Sequence, residues 1–248
     1  MRSYFDDVIP SSLTPYFRRR SNDWAQGYGF QFWRCQHGAY RADGAFGQYV
    51  VVMPRQQAVL ASVDEMQAVL DQVWTHLMPA FTDNALQADA QSTASLREQC
   101  AGLAIPALTG EHHSPAAALL AGRSYVFESN AWELERLSFG DTGTGAKVTL
   151  TFPHGTYRHR AAFGDWKEHS TLGVFGRPLL WAGSAAWTDA GQTEPGTLHL
   201  DLLDLQNTGI LTLQLRPMED GRRLEVEAQF LRTFRQTGLL RAVGSLEG

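Results

Sequence analysis

The chain has 248 residues, 44% of them hydrophobic and 19% charged, a balance suited to one large or two modest folded domains with a real core. Its formal net charge of −5 argues against nucleic acid as a partner, since phosphate binding needs clustered cations. The longest apolar runs, at 49–53 and 116–121, are far short of the ~20 residues that cross a bilayer. The start, Met1-Arg2-Ser3-Tyr4-Phe5-Asp6-Asp7, has no apolar signal core, so the expectation is a cytoplasmic protein without membrane partners.

Residues 1–22 read as irregular, punctuated by Pro10 and Pro15, with Arg18-Arg19-Arg20 as a solvated turn. The stretch 27–33 alternates Tyr28, Phe30 and Phe32 with Gly29, Gln31 and Trp33, which predicts a strand. Two more strands are predicted over 46–53 and 58–63, joined by a tight turn at Pro54-Arg55-Gln56-Gln57. The β-branched run Val50-Val51-Val52 suits a strand covered on both faces. Asp64 reads as an N-cap for a helix over 64–78. Met66, Val69, Leu70, Val73, Trp74 and Leu77 form its apolar stripe, and Pro79 stops it. The aromatic group Trp24, Tyr28, Phe30, Phe32, Trp33 and Trp74 is a candidate ligand platform, with core packing the simpler account.

Two segments of this region carry a resemblance. They are Asp23-Trp24-Ala25-Gln26-Gly27-Tyr28-Gly29-Phe30-Gln31-Phe32-Trp33-Arg34 and Asp43-Gly44-Ala45-Phe46-Gly47-Gln48-Tyr49-Val50-Val51-Val52-Met53-Pro54. Together they resemble the C-terminal part of the β-lactamase/penicillin-binding-protein-like serine hydrolases, the esterase and 6-aminohexanoate-dimer hydrolase relatives. The resemblance covers roughly 20–80. It implies a remnant antiparallel sheet carrying the fold's C-terminal helix, from a family that hydrolyses esters, amides or lactams. In that family a Ser-x-x-Lys pair supplies the nucleophile and a Tyr-x-Asn or Ser-x-Asn element assists. The chain holds two lysines, Lys147 and Lys167, and neither follows a serine at that spacing. The assisting triplet and the Gly-x-Ser-x-Gly elbow are also absent from the sequence. Alone, then, the chain is expected to be catalytically inactive, because the nucleophile needs its lysine within hydrogen-bond reach.

The family's third active-site element precedes a Gly-rich segment like Gly44-Ala45-Phe46-Gly47. By the lactamase spacing it falls on Ala39-Tyr40-Arg41 rather than on the nearby His37-Gly38-Ala39, the esterase element being often His-x-Gly. His37, Tyr40 and Arg41 are therefore the candidates for a remnant active-site wall, with a strand-end cap the equal alternative for His37.

After Asp83-Asn84 a short helix is predicted at 94–101 with Leu96, Cys100 and Leu103 facing inward, followed by a Pro- and Gly-marked linker to Pro115. Beyond it come eight candidate strands, at 124–128, 133–139, 146–152, 156–162, 179–187, 197–203, 210–215 and 223–231. Turns are marked by Gly140-Asp141-Thr142-Gly143, Asp189-Ala190-Gly191 and Glu219-Asp220-Gly221. Such a succession suggests a closed antiparallel, lipocalin-like barrel. The expected organisation is a sheet remnant over 1–84, a helix and linker over 85–115 and a barrel-like domain over 116–248. In the barrel, Trp132, Trp166, Trp181 and Trp187 either line a cavity for a small ligand or fill it.

Cys35 and Cys100 read as isolated buried thiols rather than a disulfide or metal pair. Neither His112-His113 beside Glu111 nor His154 with His159 matches a metal-ligand spacing, and surface positions are expected for them. No metal or cofactor is anticipated. Two functions remain. One is the rear of a serine hydrolase, associating with a second copy or with a separately encoded N-terminal half. The other is a non-catalytic ligand-binding or protein-interaction module built on the barrel. Loss of the front of the fold would leave a sheet edge that recruits another chain.

Overall fold

The computed structural model describes residues 23–44, 48–63, 66–140, 145–173, 176–188, 196–207, 209–232, 235–236 and 238–248. The readings made for 1–22, for the Asp64 cap, for Phe46, and for the turns at 140–143 and 189–191 lie wholly or partly outside these residues. Backbone contacts divide the chain into two compact units, 1–103 and 104–248.

The first unit contains a five-stranded antiparallel meander, β1 (Tyr28–Gly29), β2 (Phe32–Arg34), β3 (Tyr40–Asp43), β4 (Gln48–Met53) and β5 (Ala58–Val63), paired in chain order. The single strand expected over 27–33 is instead a hairpin. Gly29 pairs with Phe32, and the two residues between them, Phe30 and Gln31, take left-handed φ values of 48° and 65°. This is a type I′ turn made without its usual Asn-Gly or Gly-Gly signal. A two-residue loop preserves the period-two pattern, so the aromatic alternation runs through it unbroken.

Helix α1 (Met66–Gln72) continues into a π-helical turn at Val73–Leu77 and a 3₁₀ turn at Met78–Ala80. Leu70 and Val73 are buried against Tyr49, Val51 and Met53 of β4, with Val69, Trp74 and Met78 partly buried around them. Leu77 lies outside this core, contrary to the predicted stripe. The wider π turn rotates it away from the sheet. Only one face of β4 is covered: Tyr49, Val51 and Met53 point into the core while Val50 is exposed, so the continuous valine run does not mark two buried faces.

Helix α2 (Ala90–Ala101) begins earlier than predicted because Asp89 caps it, accepting from the Gln91 and Ser92 amides at 2.9 and 3.1 Å. It has no buried residue; Leu96, Cys100 and Leu103 are exposed rather than inward. Capping and good helix formers hold it, not an apolar face.

The second unit is a closed barrel. Its strands are β6 (Ser124–Phe127), β7 (Arg136–Phe139), β8 (Gly145–Phe152), β9 (Gly155–Phe163), β11 (Pro178–Thr188), β12 (Thr197–Asp204), β13 (Gly209–Met218), β14 (Arg223–Arg232) and β16 (Leu240–Leu246). They run β11-β12-β13-β14-β16-β6-β7-β8-β9, and the ring closes where β9 pairs in parallel with β11 at Ala162↔Ser184 and Phe163↔Ala185. Two strands lie beside the ring: β10 (Lys167–Leu172) on β11 and the two-residue β15 (Arg235–Gln236) on β14. All eight predicted strands are present. The signal missed β10, which is mostly polar, and β16, whose inward positions include Ala242 and Gly244.

Inward side chains alternate with outward ones, as in Ala146, Val148, Leu150 and Phe152 of β8 and Leu198, Leu200 and Leu202 of β12. The turn Pro115–Leu119 covers one end, placing Ala116 and Leu120 in the core, and the Tyr125 hydroxyl donates within 3.2 Å of Leu119 O and 2.9 Å of Gly221 O.

Closure demands an unusually close backbone approach. A Cβ on Gly183 of β11 would lie 2.2 Å from the Arg160 carbonyl oxygen of β9, and one on Gly145 of β8 would lie 2.3 Å from the Ala161 oxygen. Glycines thus flank β9 on both sides at 160–161. Gly183→Ala is expected to cost about 1–3 kcal/mol in urea unfolding of the full chain, since the clash is with backbone. Gly238→Ala, where a Cβ meets open space, should change it little. Equal stability of the two variants would contradict this account of closure.

Candidate functional site

In the first unit the sequence candidates cluster around one buried cation. Arg41 on β3 is fully buried and inserts its guanidinium beneath the sheet's inner face, 4.5 Å from the Trp24 ring centroid, 5.5 Å from Trp33 and 5.8 Å from Tyr49. Its Nε donates to Asp43 Oδ2 at 2.8 Å, and Nη1 lies 3.4 Å from the Asp23 carbonyl and 3.3 Å from Cys35 Sγ. Its Nη2 and the Tyr49 hydroxyl are buried with no hydrogen-bond partner among the described residues.

Beside it, buried Asp23 accepts at its carboxylate from the Gln36 amide (2.8 Å), the Gln36 side chain (3.2 Å) and Trp74 Nε1 (2.9 Å). That ties the turn before β1 to the turn before β3 and to the helix. Burial pushes the Asp43 carboxyl up despite Arg41, pushes the Cys35 thiol up to about 11, and raises Tyr49. A thiol so raised is not a nucleophile at neutral pH. Cys35 is buried as expected, whereas Cys100 is exposed.

His37, Tyr40 and Arg41 do not converge. His37 sits exposed in a left-handed turn (φ 59°), its ring 5.4 Å from Trp74. Tyr40 points to the opposite face of β3 from Arg41 and meets Phe32 edge-on at 5.6 Å. Strand alternation alone separates the two. Of the aromatic group, Trp24, Trp33 and Trp74 pack around the Arg41–Asp23 centre and Tyr28 lies against Trp33 at 4.8 Å on the same face, while Phe32 and Tyr40 form an exposed ridge on the other face, with Phe30 88% exposed at the hairpin tip.

In the barrel, Trp181 and Trp187 are buried members of the core and Trp132 packs against it, edge-on to Phe152 at 5.3 Å. Trp166 is placed differently: it lies in the β9–β10 turn, and its Nε1 donates to the Ile105 carbonyl at 2.8 Å. The side chains placed in the interior pack together as core.

Among them is a group that the sequence reading placed on the surface. His159 of β9 is buried inside the barrel, its Nδ1 3.1 Å from Nε2 of His169 on β10 and its ring 5.1 Å from Trp181 on β11. His169 Nδ1 is 3.2 Å from the Lys167 carbonyl. A carbonyl only accepts, so Nδ1 carries the proton. Neutral His169 then accepts at Nε2 from His159 Nδ1–H, and His159 Nε2 keeps a lone pair. Trp181 Nε1 is buried without a partner among the described residues. Burial, and secondarily the facing His169, pushes His159 down to about 3; burial also lowers His169. Alternation in Tyr157-Arg158-His159-Arg160-Ala161 was the available signal, since Tyr157 and Ala161 share its inward face.

Among the described residues no cluster of three or more metal-ligating side chains occurs, and no helix is long and apolar enough to cross a membrane. No protein-family model and no curated protein matches the sequence.

Arg41→Met should leave Asp43 buried without its counter-charge and remove the stacking among Trp24, Trp33 and Tyr49. The expected loss is about 3–5 kcal/mol, measured by urea unfolding of the full chain followed by tryptophan fluorescence. A loss below about 1 kcal/mol would mean that the ion pair does not organise this sheet.

Proposed function

We propose that this chain is the sheet-and-helix rear of a β-lactamase-like serine hydrolase joined to a barrel, and that it acts as a non-catalytic partner for a second polypeptide. In this reading the helix from Met66 is the family's C-terminal helix. The two quoted segments support the family. The lack of a Ser-x-x-Lys pair supports inactivity.

The observation that carries the partner reading is the exposed pair Phe32 and Tyr40 on the face of the sheet away from Arg41, with Phe30 at the adjoining hairpin tip. Two non-glycine residues in left-handed conformation cost about 1–2 kcal/mol each, and here that strain presents a phenyl ring to solvent. Next to it β1 pairs only with β2 among the described strands. An exposed aromatic surface beside a strand edge with no second partner strand among the described residues favours strand addition by another chain. The occupant of this surface in the present reading is a second copy of the chain.

Purified protein is expected not to hydrolyse nitrophenyl esters above buffer and not to take up a fluorophosphonate; stoichiometric labelling of a serine would overturn the inactivity. Light scattering at micromolar concentration should give a mass above the monomer, reduced to the monomer by Phe30→Ser with Phe32→Ser. A strictly monomeric wild-type chain would instead remove the association from this reading.

A further inference from the structure

Strands β9 and β10 are consecutive, joined by Gly164-Asp165-Trp166, and lie side by side, yet no backbone ladder joins them among the described residues. The ladder of β10 is made with β11, from Lys167↔Gly183 to Leu172↔Pro178. β9 pairs with β11 only at Ala162 and Phe163. Two bonds that use side chains cross the gap between β9 and β10. The Arg158 amide donates to Thr171 Oγ1 at 3.0 Å, and His159 meets His169 at 3.1 Å.

We propose that this seam is an acid-operated latch: proton uptake by the His159–His169 pair releases β10 from β9 and opens the barrel wall there, while the β12–β13 ladder stays closed.

The bonding follows from proton counting. The neutral pair has one proton between its facing nitrogens and one donated to the Lys167 carbonyl. A first added proton leaves that bond in place but puts a charge into a desolvated site, beside a tryptophan N–H that has no acceptor among the described residues. A second makes both facing nitrogens donors, and the bond is lost. Opening the seam lets water solvate the imidazolium.

The surrounding charges do not offset this cost. On β9, Arg158 and Arg160 flank His159 on the outward face, and Arg160 repels a proton on His169. Lys147 on β8 pairs with Arg160, and β10 adds exposed Lys167 and Glu168. β11 has no titratable side chain. On β12, His199 and Asp201 point outward, and Asp204, opposite Trp181, is occupied by the Gln206 amide and by Asn207. The 105–113 segment brings Glu111 through its bridge to Trp187 and His112 against Phe163. Among the described groups, no carboxylate contributes to either histidine of the pair.

The sign of the effect is fixed by the depressed closed-state values. Above about pH 7 both states are neutral and the latch is insensitive to pH. Below the ordinary histidine value near 6.5 the open state takes up protons that the closed state refuses. Opening then grows by up to about tenfold per pH unit for each proton, and for His159 this continues until the closed-state ring titrates near 3.

Amide hydrogen exchange on the full chain at pH 7 and pH 5, corrected for intrinsic rates, tests this. The opening equilibrium of β9 and β10 amides should rise at least about tenfold, with β12 and β13 amides unchanged. His159→Leu and His159→Gln should each reduce that rise to less than about threefold, so one folded variant suffices. Three results would overturn the latch: no change in the wild type, simultaneous loss of protection in β12 and β13, or a wild-type response in a folded variant.

Discussion

A barrel of nine strands must bring its two free edges together, and in this chain that step depends on how closely backbones can approach. β9 passes between Gly145 on β8 and Gly183 on β11, each too near a β9 carbonyl to carry a side chain. The parallel contact it makes with β11 spans two residue pairs, a short join for an otherwise antiparallel ring. The other consequences of the fold follow. Because β9 pairs with β11 only at its C-terminal end, β10 occupies the rest of that edge, and the β9–β10 boundary is left to side chains. Because inward positions alternate, the histidine of β9 has to be inside, where it survives as a neutral ring bonded to another.

The five-stranded sheet is organised on a different principle. Its core has few large aliphatic side chains, and a single guanidinium substitutes for them, stacked among aromatic rings and paired to Asp43. A buried ion pair is a poor source of net stability but is costly to break. Arg41 fixes what lies around it: the Asp23 turn, the buried thiol and the inner face of β3. It thereby also fixes the outer face, where Tyr40 and Phe32 stand together. The aromatic ridge proposed to receive a second chain is the reverse side of the Arg41 cage.

Much of the barrel was legible because its strands alternate over long stretches between recognisable turns. What escaped notice did so for physical reasons. β10 escaped because its mostly polar sequence is stabilised by position rather than by an apolar face. The β1–β2 hairpin was concealed because a type I′ turn built on Phe30 and Gln31 breaks neither the period nor the composition. Leu77 was misplaced by a π turn that no residue type announces. At the candidate sites, Arg41 was singled out through a family resemblance that did not predict its burial in an aromatic cage. His159 was dismissed because histidine is usually a surface residue, although Tyr157 and Ala161 placed it inward. An apolar alternation that includes one titratable residue predicts burial of that residue as firmly as of its neighbours.

The closure geometry of the barrel has a direct test. Backbone nuclear Overhauser contacts in the deuterated full chain should connect Ala162 and Phe163 with Ser184 and Ala185. Residues 157–160 should show none of the cross-strand backbone contacts to 169–172 that a ladder produces. A continuous β9–β10 ladder, or no contact between β9 and β11, would contradict the account.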